Sequence, residues 1–383
     1  MRWDIFCKVI DNFGDIGVCW RLSADLASRG EQVRLWVDDA SALRWMAPGV
    51  GADGLGHAGV QVLLWPSDGS DFSSTLPGHV VIEAFGCHLP DGFVARMQRS
   101  APPHWINLEY LSAESHVERN HGLNSPVWSG PGSGLVKRFF YPGFTHKTGG
   151  LIREPGLLDE RDRLQADPKE RARQLAECDI NQRNGERLVL LFCYAQSPVS
   201  ELLDGLSDCG AGGVPVQILL TPGHAAEQGL AWLAKRQASG LAQHPLRLNT
   251  LPALPQPLFD RLLCCTDLNI VRGEDSAVRA LWAARPHVWQ IYRQDDGVHA
   301  DKLEAFMARW MHGWPQPLRQ QAQTLWRGFN GLSQPRDIGP SLQALWQGDA
   351  WSDWQRLSQQ AGRELATQND LTCQLLEFVT QPG

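Results

Sequence analysis

The sequence predicts an α/β protein with two open parallel sheets, each covered by helices. Short apolar stretches of strand length alternate with helical patterns from Arg2 to Leu111, and the same alternation starts again at Leu188 and runs to Tyr292. The 383 residues are enough for two to three domains of roughly 150 residues. We therefore expect two facing domains, with ligands bound in a cleft at the carboxyl ends of the strands.

The first predicted sheet draws its strands from five apolar stretches, at residues 3–10, 32–37, 60–65, 80–85 and 105–111. A helix between the first two is indicated by apolar residues at helical spacing, from Val18 to Leu26, and Gly30 ends it where a left-handed residue is commonly needed. Strands that alternate with helices in this way form parallel sheets buried on both faces.

The predicted domain boundary follows a stretch rich in proline, glycine and aromatic residues, 125–156, which is typical of an ordered loop. A charged helix at 159–178 comes next. We expect a first domain at residues 1–180, completed by a C-terminal helix at 355–383, and a second domain at 181–354. The second domain has predicted strands at 188–194, 214–220, 246–251, 268–271 and 288–292. From residue 300 onward the pattern is helical.

Composition excludes several classes of protein. The net charge of −7 gives no overall electrostatic reason to expect nucleic acid or a membrane surface as a partner. Nine cysteines without a C-x-x-C pair favour a reduced, cytoplasmic protein. The longest apolar run, residues 188–195, is far shorter than the ~20 residues that span a bilayer. Because no D-x-D occurs and His116, His121 and His299 lack ligand spacing, we expect no metal cofactor.

The loop after the first strand concentrates polar chemistry. It carries Asp11 and Asp15, the aromatic Phe13, and Gly14 and Gly17, directly before the first helix. A complete G-x-G-x-x-G is missing, so a nicotinamide site is disfavoured. An ordinary alternative is that Asp15 caps the helix and Asp11 ends the strand. The two acids with an aromatic residue and two glycines, on a loop expected to face the ligand, favour a functional site.

A second loop, Arg272 to Ser276, leads from a strand into a helix. Ser276 or Asp275 is the predicted N-cap. The start of a helix offers backbone N–H groups and partial positive charge, so together with Arg272 it can bind a diphosphate without a metal. Glu274 is then the candidate for binding sugar hydroxyls.

Four further side chains are expected at the same sheet edge as this loop. They are Tyr194, Gln256, Phe259 and Tyr292. Any one of the aromatic residues taken alone is as well explained by core packing, but together at strand ends they favour a nucleotide pocket. The residues alone therefore indicate a two-domain, metal-free protein that handles a nucleotide-linked ligand.

Five segments resemble the elongation factor P arginine rhamnosyltransferases of bacteria, the EarP family. They are residues 8–17 (KVIDNFGDIG), 106–114 (INLEYLSAE), 148–154 (TGGLIRE), 267–276 (DLNIVRGEDS) and 289–292 (WQIY). The resemblance implies a GT-B fold, a dTDP-β-L-rhamnose donor, and transfer with inversion to an arginine of the protein partner, elongation factor P. Two alternatives stay open: a nucleotide-sugar epimerase of the same build, and a non-catalytic protein that binds dTDP-sugars.

The resemblance also implies roles for particular residues. Asp11, Asp15 and Glu274 are the implied catalytic residues. A carboxylate such as Asp15 would act as the base that activates the acceptor arginine, and which of Asp11 and Asp15 does so stays open. The expected donor-binding residues are Tyr194, Gln256, Phe259, Arg272, Asp275, Ser276 and Tyr292, with Gly14 and Gly17. The aromatic loop 139–144, with Lys137, Arg138 and Lys147 nearby, is one candidate docking surface for the acceptor protein; a buried loop core is the alternative.

Overall fold

The chain forms two units, and the first of them is built from two separate stretches of the sequence. The computed structural model describes residues 1–10, 13–50, 59–65, 72, 75–240, 246–294 and 297–380. The first unit joins Met1–Glu154 to Thr367–Gly383, and the second is Pro155–Ala366. Each unit is built on a mainly parallel sheet with helices, as predicted. The cleft expected between them stays a prediction.

The unit limits differ from the predicted domain limits at both ends of the second unit. Helices α5 (Leu157–Ala166) and α6 (Pro168–Glu177) pack on α9 (Gln256–Cys265), so this stretch belongs to the second unit and not to the first. Helix α14 (Gly348–Leu365) packs on α10 (Gly273–Ala283), and the chain returns to the first unit only at Thr367. In both places packing against helices of the second unit, which the chain order does not reveal, sets the limit.

The first unit has a seven-stranded sheet in the order β3-β2-β1-β4-β5-β7-β6, in which only the edge strand β6 runs antiparallel to its neighbour. Its strands are β1 (Arg2–Cys7), β2 (Gln32–Val37), β3 (Val60–Leu64), β4 (Val80–Ala84), β5 (His104–Leu108), β6 (Asn124–Pro126) and β7 (Val136–Phe140). Its helices are α1 (Gly14–Ser28), α2 (Leu43–Met46), α3 (Asp91–Met97), α4 (Ser115–Asn120) and α15 (Leu371–Thr380).

The five strands predicted here are confirmed, and so is the helix between the first two. Strand β1 is buried from Trp3 to Cys7, as a central parallel strand must be. Gly30 has a φ of 90°, the left-handed conformation expected just after α1. Leu371 and Leu375 of α15 pack into the same core as β1, so the chain's last helix completes the first unit.

Strands β6 and β7 lie in the stretch that was predicted to be loop. Strand β7 pairs in parallel with β5. Its sequence contains Lys137 and did not predict a strand, because the ion pair that lets this lysine lie inside the fold is not visible in the sequence. The Lys137 Nζ lies 2.6 Å from Oε2 of Glu83, whose side chain is 1% exposed. Phe140 and Phe144 are buried as well. The loop 139–144 is therefore largely core, which supports the alternative to a docking surface.

Gly149, in the TGG segment that follows β7, is required by close packing. A Cβ atom there would overlap the ring of the buried Phe140. We predict that Gly149→Ala lowers the free energy of unfolding by about 2 kcal/mol, because the ring has no room to move in a packed core. Urea unfolding measures this loss. Gly92→Ala, inside α3 and with its new Cβ only in ordinary contact, is the matched control; an equal loss in both variants would contradict the packing argument.

The second unit has a five-stranded parallel sheet in the order β10-β9-β8-β11-β12. Its strands are β8 (Arg187–Leu191), β9 (Val216–Leu220), β10 (Leu246–Thr250), β11 (Leu268–Arg272) and β12 (His287–Gln290). Besides α5, α6, α9, α10 and α14, its helices are α7 (Val199–Ala211), α8 (His224–Ala238), α11 (Val298–Trp310), α12 (Gln316–Phe329) and α13 (Ile338–Trp346), with a 3-10 turn at Pro335–Asp337.

All five predicted strands of this unit are confirmed, and the predicted helix 159–178 is two helices. The break falls at Pro168, whose ring cannot continue the preceding helix. Asp167 caps the new helix, and its side chain accepts a hydrogen bond from the Lys169 N–H at 2.8 Å.

Candidate active site

The predicted catalytic carboxylate of Asp15 lies in the first turn of α1, in the first unit. This side chain is 3% exposed. Its Oδ2 accepts a hydrogen bond from the Ile10 N–H at 2.8 Å, and its Oδ1 accepts one from the Tyr110 hydroxyl at 3.4 Å. The N-cap of α1 is Phe13, so Asp15 does not serve as the cap that the ordinary alternative required. The carboxylate is held instead between the loop after β1 and the loop after β5.

Tyr110 is a site residue to which sequence reasoning gave no role. Its ring stacks on Phe85 with centroids 4.4 Å apart, and Phe85 follows β4 with a φ of 57°. The ends of β4 and β5 thus support one side of Asp15. The sequence position of Phe85 and Tyr110 could have predicted their contact. Both follow closely on parallel strands, and the carboxyl ends of parallel strands meet at one edge of the sheet.

Asp11 lies outside the residues that the structure describes, so its catalytic role stays a prediction. Gly14 is the first residue of α1. Gly17 is buried inside the helix, and its N–H donates to the Phe13 carbonyl at 3.0 Å. The two glycines therefore build the turn from loop to helix, and their predicted contact with the donor stays a prediction.

Arg272 is the centre of a second group of predicted site residues, which lies in the second unit. It is the last residue of β11, and its guanidinium carbon lies 4.5 Å from the ring centroids of both Phe192 and Tyr194. Rings at this distance attract the cation through their negative faces and limit the directions in which it can point. Phe192 was not predicted.

Helix α10 begins earlier than predicted, at Gly273 and not near Ser276. Gly273 has a φ of 69°, which lets the chain turn into the helix immediately after the strand. The N-cap position is Arg272, and neither Asp275 nor Ser276 occupies it. The start of a helix carries a partial positive charge, and here it directly follows Arg272. That combination suits a diphosphate.

The predicted aromatic residues do meet around Arg272. Tyr194 contacts Tyr292 edge-on at 5.7 Å, and Phe192 contacts Phe259 at 6.0 Å. Gln290, which was not predicted, fixes the start of the loop that carries Tyr194: its Oε1 accepts the Tyr194 N–H at 2.9 Å. Each of these rings has an apolar face of the kind on which a nucleobase can stack.

The polar side chains at the start of α10 have partners on neighbouring helices. Gln256 Nε2 donates to Asp275 Oδ2 at 3.2 Å, linking α9 to the first turn of α10. Glu274 Oε1 lies 2.5 Å from the Nζ of Lys302 on α11. Ser276 is buried in the same turn. Lys302 is more than 25 residues from the motif, and no local pattern connects the two.

Another carboxyl group near the carboxyl ends of the first sheet's strands, that of Glu109, has an altered pKa. Burial raises the pKa of Glu109, which directly follows β5, and its hydrogen bond with Asn107 opposes that shift. The nearby charge of Glu83 also raises this pKa, and that of Lys137 lowers it. Glu109 is thus a carboxyl group of altered acidity next to Tyr110 in the chain.

The histidines hydrogen-bond or pack, as predicted. His121 Nδ1 accepts the Tyr141 N–H at 3.1 Å, and His299 Nδ1 accepts the Gln294 N–H at 3.3 Å. Among the residues that the structure describes, no group of three or more His, Cys, Asp or Glu side chains is placed to hold a metal ion. The described helices include none that combines the length and the apolar character needed to span a membrane.

A family model described as elongation factor P (EF-P) rhamnosyltransferase EarP matches residues 3–380. The chain belongs to the EarP family. It is 39% identical over 387 residues to the protein-arginine rhamnosyltransferase of Pseudomonas aeruginosa, with 98% of each chain covered. It is 40% identical over 383 residues to the protein of the same name from Pseudomonas putida, again with 98% of each covered.

Solved structures agree with this assignment. A structure described as the basis for EarP-mediated arginine glycosylation of translation elongation factor EF-P is 29% identical to this chain, with a TM-score of 0.65 and 98% of each chain covered. Os79 from O. sativa, solved with UDP, has a TM-score of 0.55 at 13% identity over 98% of this chain and 99% of its own, which shows the fold alone. The fold is GT-B, and this EarP-family member is a protein-arginine rhamnosyltransferase. The epimerase and the non-catalytic alternatives are set aside.

Proposed function

We propose that this EarP-family enzyme transfers L-rhamnose from dTDP-β-L-rhamnose to an arginine side chain of elongation factor P, with inversion at the anomeric carbon. Its relatives are named protein-arginine rhamnosyltransferases, and the solved relative glycosylates an arginine of EF-P. An enzyme that modifies a translation factor works where translation takes place, which supports the cytoplasm as its location.

The observation that carries the donor half of the proposal is the Arg272 guanidinium, held between Phe192 and Tyr194 at the start of α10. A guanidinium and a helix start together offer several N–H donors to a diphosphate. They also stabilise the charge that develops on dTDP as it leaves, so we propose that the reaction uses no metal cofactor. The rings of Tyr194, Phe259 and Tyr292 are the proposed surface for the nucleoside, with Gln256, Asp275 and Ser276 beside it.

The acceptor half depends on Asp15. An arginine side chain has a pKa above about 12 and delocalises its lone pairs, so it is a weak nucleophile in water. Asp15, fixed by Ile10 and Tyr110, hydrogen-bonds the guanidinium, favours one nitrogen as the attacking atom and takes its proton. We propose that Asp11 holds the second edge of the same guanidinium and that Glu274 binds the sugar hydroxyls.

In the proposed reaction one C–N bond forms and one C–O bond breaks. The nitrogen lone pair attacks the anomeric carbon while the electron pair of the bond to the diphosphate leaves with dTDP. A single displacement of this kind turns the β-linked donor into an α-linked product.

Intact-mass spectrometry of EF-P, after incubation with this enzyme and dTDP-β-L-rhamnose, tests the proposal. We expect EF-P to gain one deoxyhexose, NMR of the product to show the α anomer, and EF-P with lysine at the acceptor arginine to stay unmodified. Conversion of the free nucleotide sugar with EF-P unchanged would contradict the proposal and point to an epimerase. Donor binding without any turnover would contradict it as well.

A further inference from the structure

The ion pair between Glu274 and Lys302 carries an inference about how the start of α10 binds its ligand. Lys302 Nζ lies 2.5 Å from Glu274 Oε1, and the two side chains are only 14% and 19% exposed. A pair this sheltered from water is screened far less than a surface ion pair. The lysine comes from α11, and the glutamate from the first turn of α10.

The charges in that turn create a problem for an anionic ligand. Glu274 and Asp275 are both acidic, and both lie in the first turn of α10, where we propose that the diphosphate binds. Like charges at short range in a partly buried site weaken binding. Arg272 and the helix start supply positive charge for the diphosphate itself, whereas the cation in contact with Glu274 Oε1 is that of Lys302.

We propose that Lys302 is a positioning residue: it compensates the charge of Glu274 and fixes Oε1, and so orients this carboxylate for the sugar while the diphosphate binds the helix start. This inference rests on the proposed function, because it assumes that α10 binds the donor. Truncating the lysine removes this compensation and the contact at Oε1, so the Glu274 carboxylate repels the diphosphate more strongly and is less well oriented for the sugar.

Calorimetric titration with dTDP tests the inference. We expect Lys302→Met to weaken dTDP binding about tenfold and Lys302→Arg to stay within about threefold of the wild type, since arginine restores the charge. In the Glu274→Gln background, where there is no charge to compensate, Lys302→Met should change the affinity by no more than about twofold. With dTDP-rhamnose as substrate, Lys302→Met should also raise the donor KM.

Arg327→Met is the matched control, because it breaks another ion pair of α11, that of Glu304 with Arg327 on α12. Its dTDP affinity should equal that of the wild type. Equal losses from Lys302→Met in the wild-type and in the Glu274→Gln backgrounds would overturn the inference, since the lysine would then act on the nucleotide directly. An unchanged affinity in Lys302→Met would overturn it too. If the wild-type protein itself failed to bind dTDP, the proposed function would fail first.

Discussion

Asp15→Asn is expected to lower kcat for arginine rhamnosylation about 1,000-fold and to leave the affinity for dTDP unchanged. Asparagine keeps an oxygen that can accept the Ile10 N–H, so the loop retains its geometry. What is lost is the negative charge and the ability to accept the proton of the attacking nitrogen. Rates come from the mass of EF-P over time, and dTDP affinity comes from calorimetry.

Asp39→Asn is the control for this change. Asp39 lies in the loop after β2, and its side chain accepts the Ser41 N–H at 2.8 Å, an interaction that lowers the pKa of the Asp39 carboxyl. Removing this carboxylate takes the same charge from the same unit, and we expect the rate to stay within about threefold of the wild type. If Asp15→Asn rhamnosylated EF-P at a rate near that of this control, the assignment of Asp15 as the base would be wrong.

Arg272→Ala is expected to weaken dTDP binding about 100-fold, the loss that accompanies removal of two charged hydrogen bonds of about 1.5 kcal/mol each. Turnover at saturating donor should also fall, because the leaving diphosphate loses its nearest fixed cation. Arg272→Lys should lose about tenfold in affinity. It keeps the charge but not the planar group that lies between Phe192 and Tyr194.

Arg236→Met provides the control, because Arg236 on α8 is a cation that also lies over an aromatic ring, that of Trp232, but is remote from α10 in the sequence and contacts Asp204. Its dTDP affinity should match the wild type. An Arg272→Ala variant that bound dTDP as tightly as Arg236→Met would remove Arg272 from the diphosphate site.

The sequence was most informative where charged side chains lie at the carboxyl end of a buried strand. Strands β1 and β11 are recognisable from their apolar runs, so the positions of Asp15, in the helix after β1, and of Arg272, at the end of β11, were predictable. Phe192, Tyr110 and Lys302 were missed because their roles depend on rings and charges from distant segments. Strand β7 was missed because a lysine such as Lys137 is not expected inside a sheet, and its buried partner Glu83 comes from a distant part of the sequence.

Discontinuity of the first unit also bears on the order of events at the ribosome. Its core needs Leu371 and Leu375 of α15, yet all of Pro155–Ala366 must be synthesised before that helix exists. Domains generally fold as units while the chain emerges. The second unit is continuous and can therefore finish folding first, whereas the apolar core of the first unit stays incomplete until α15 has been synthesised.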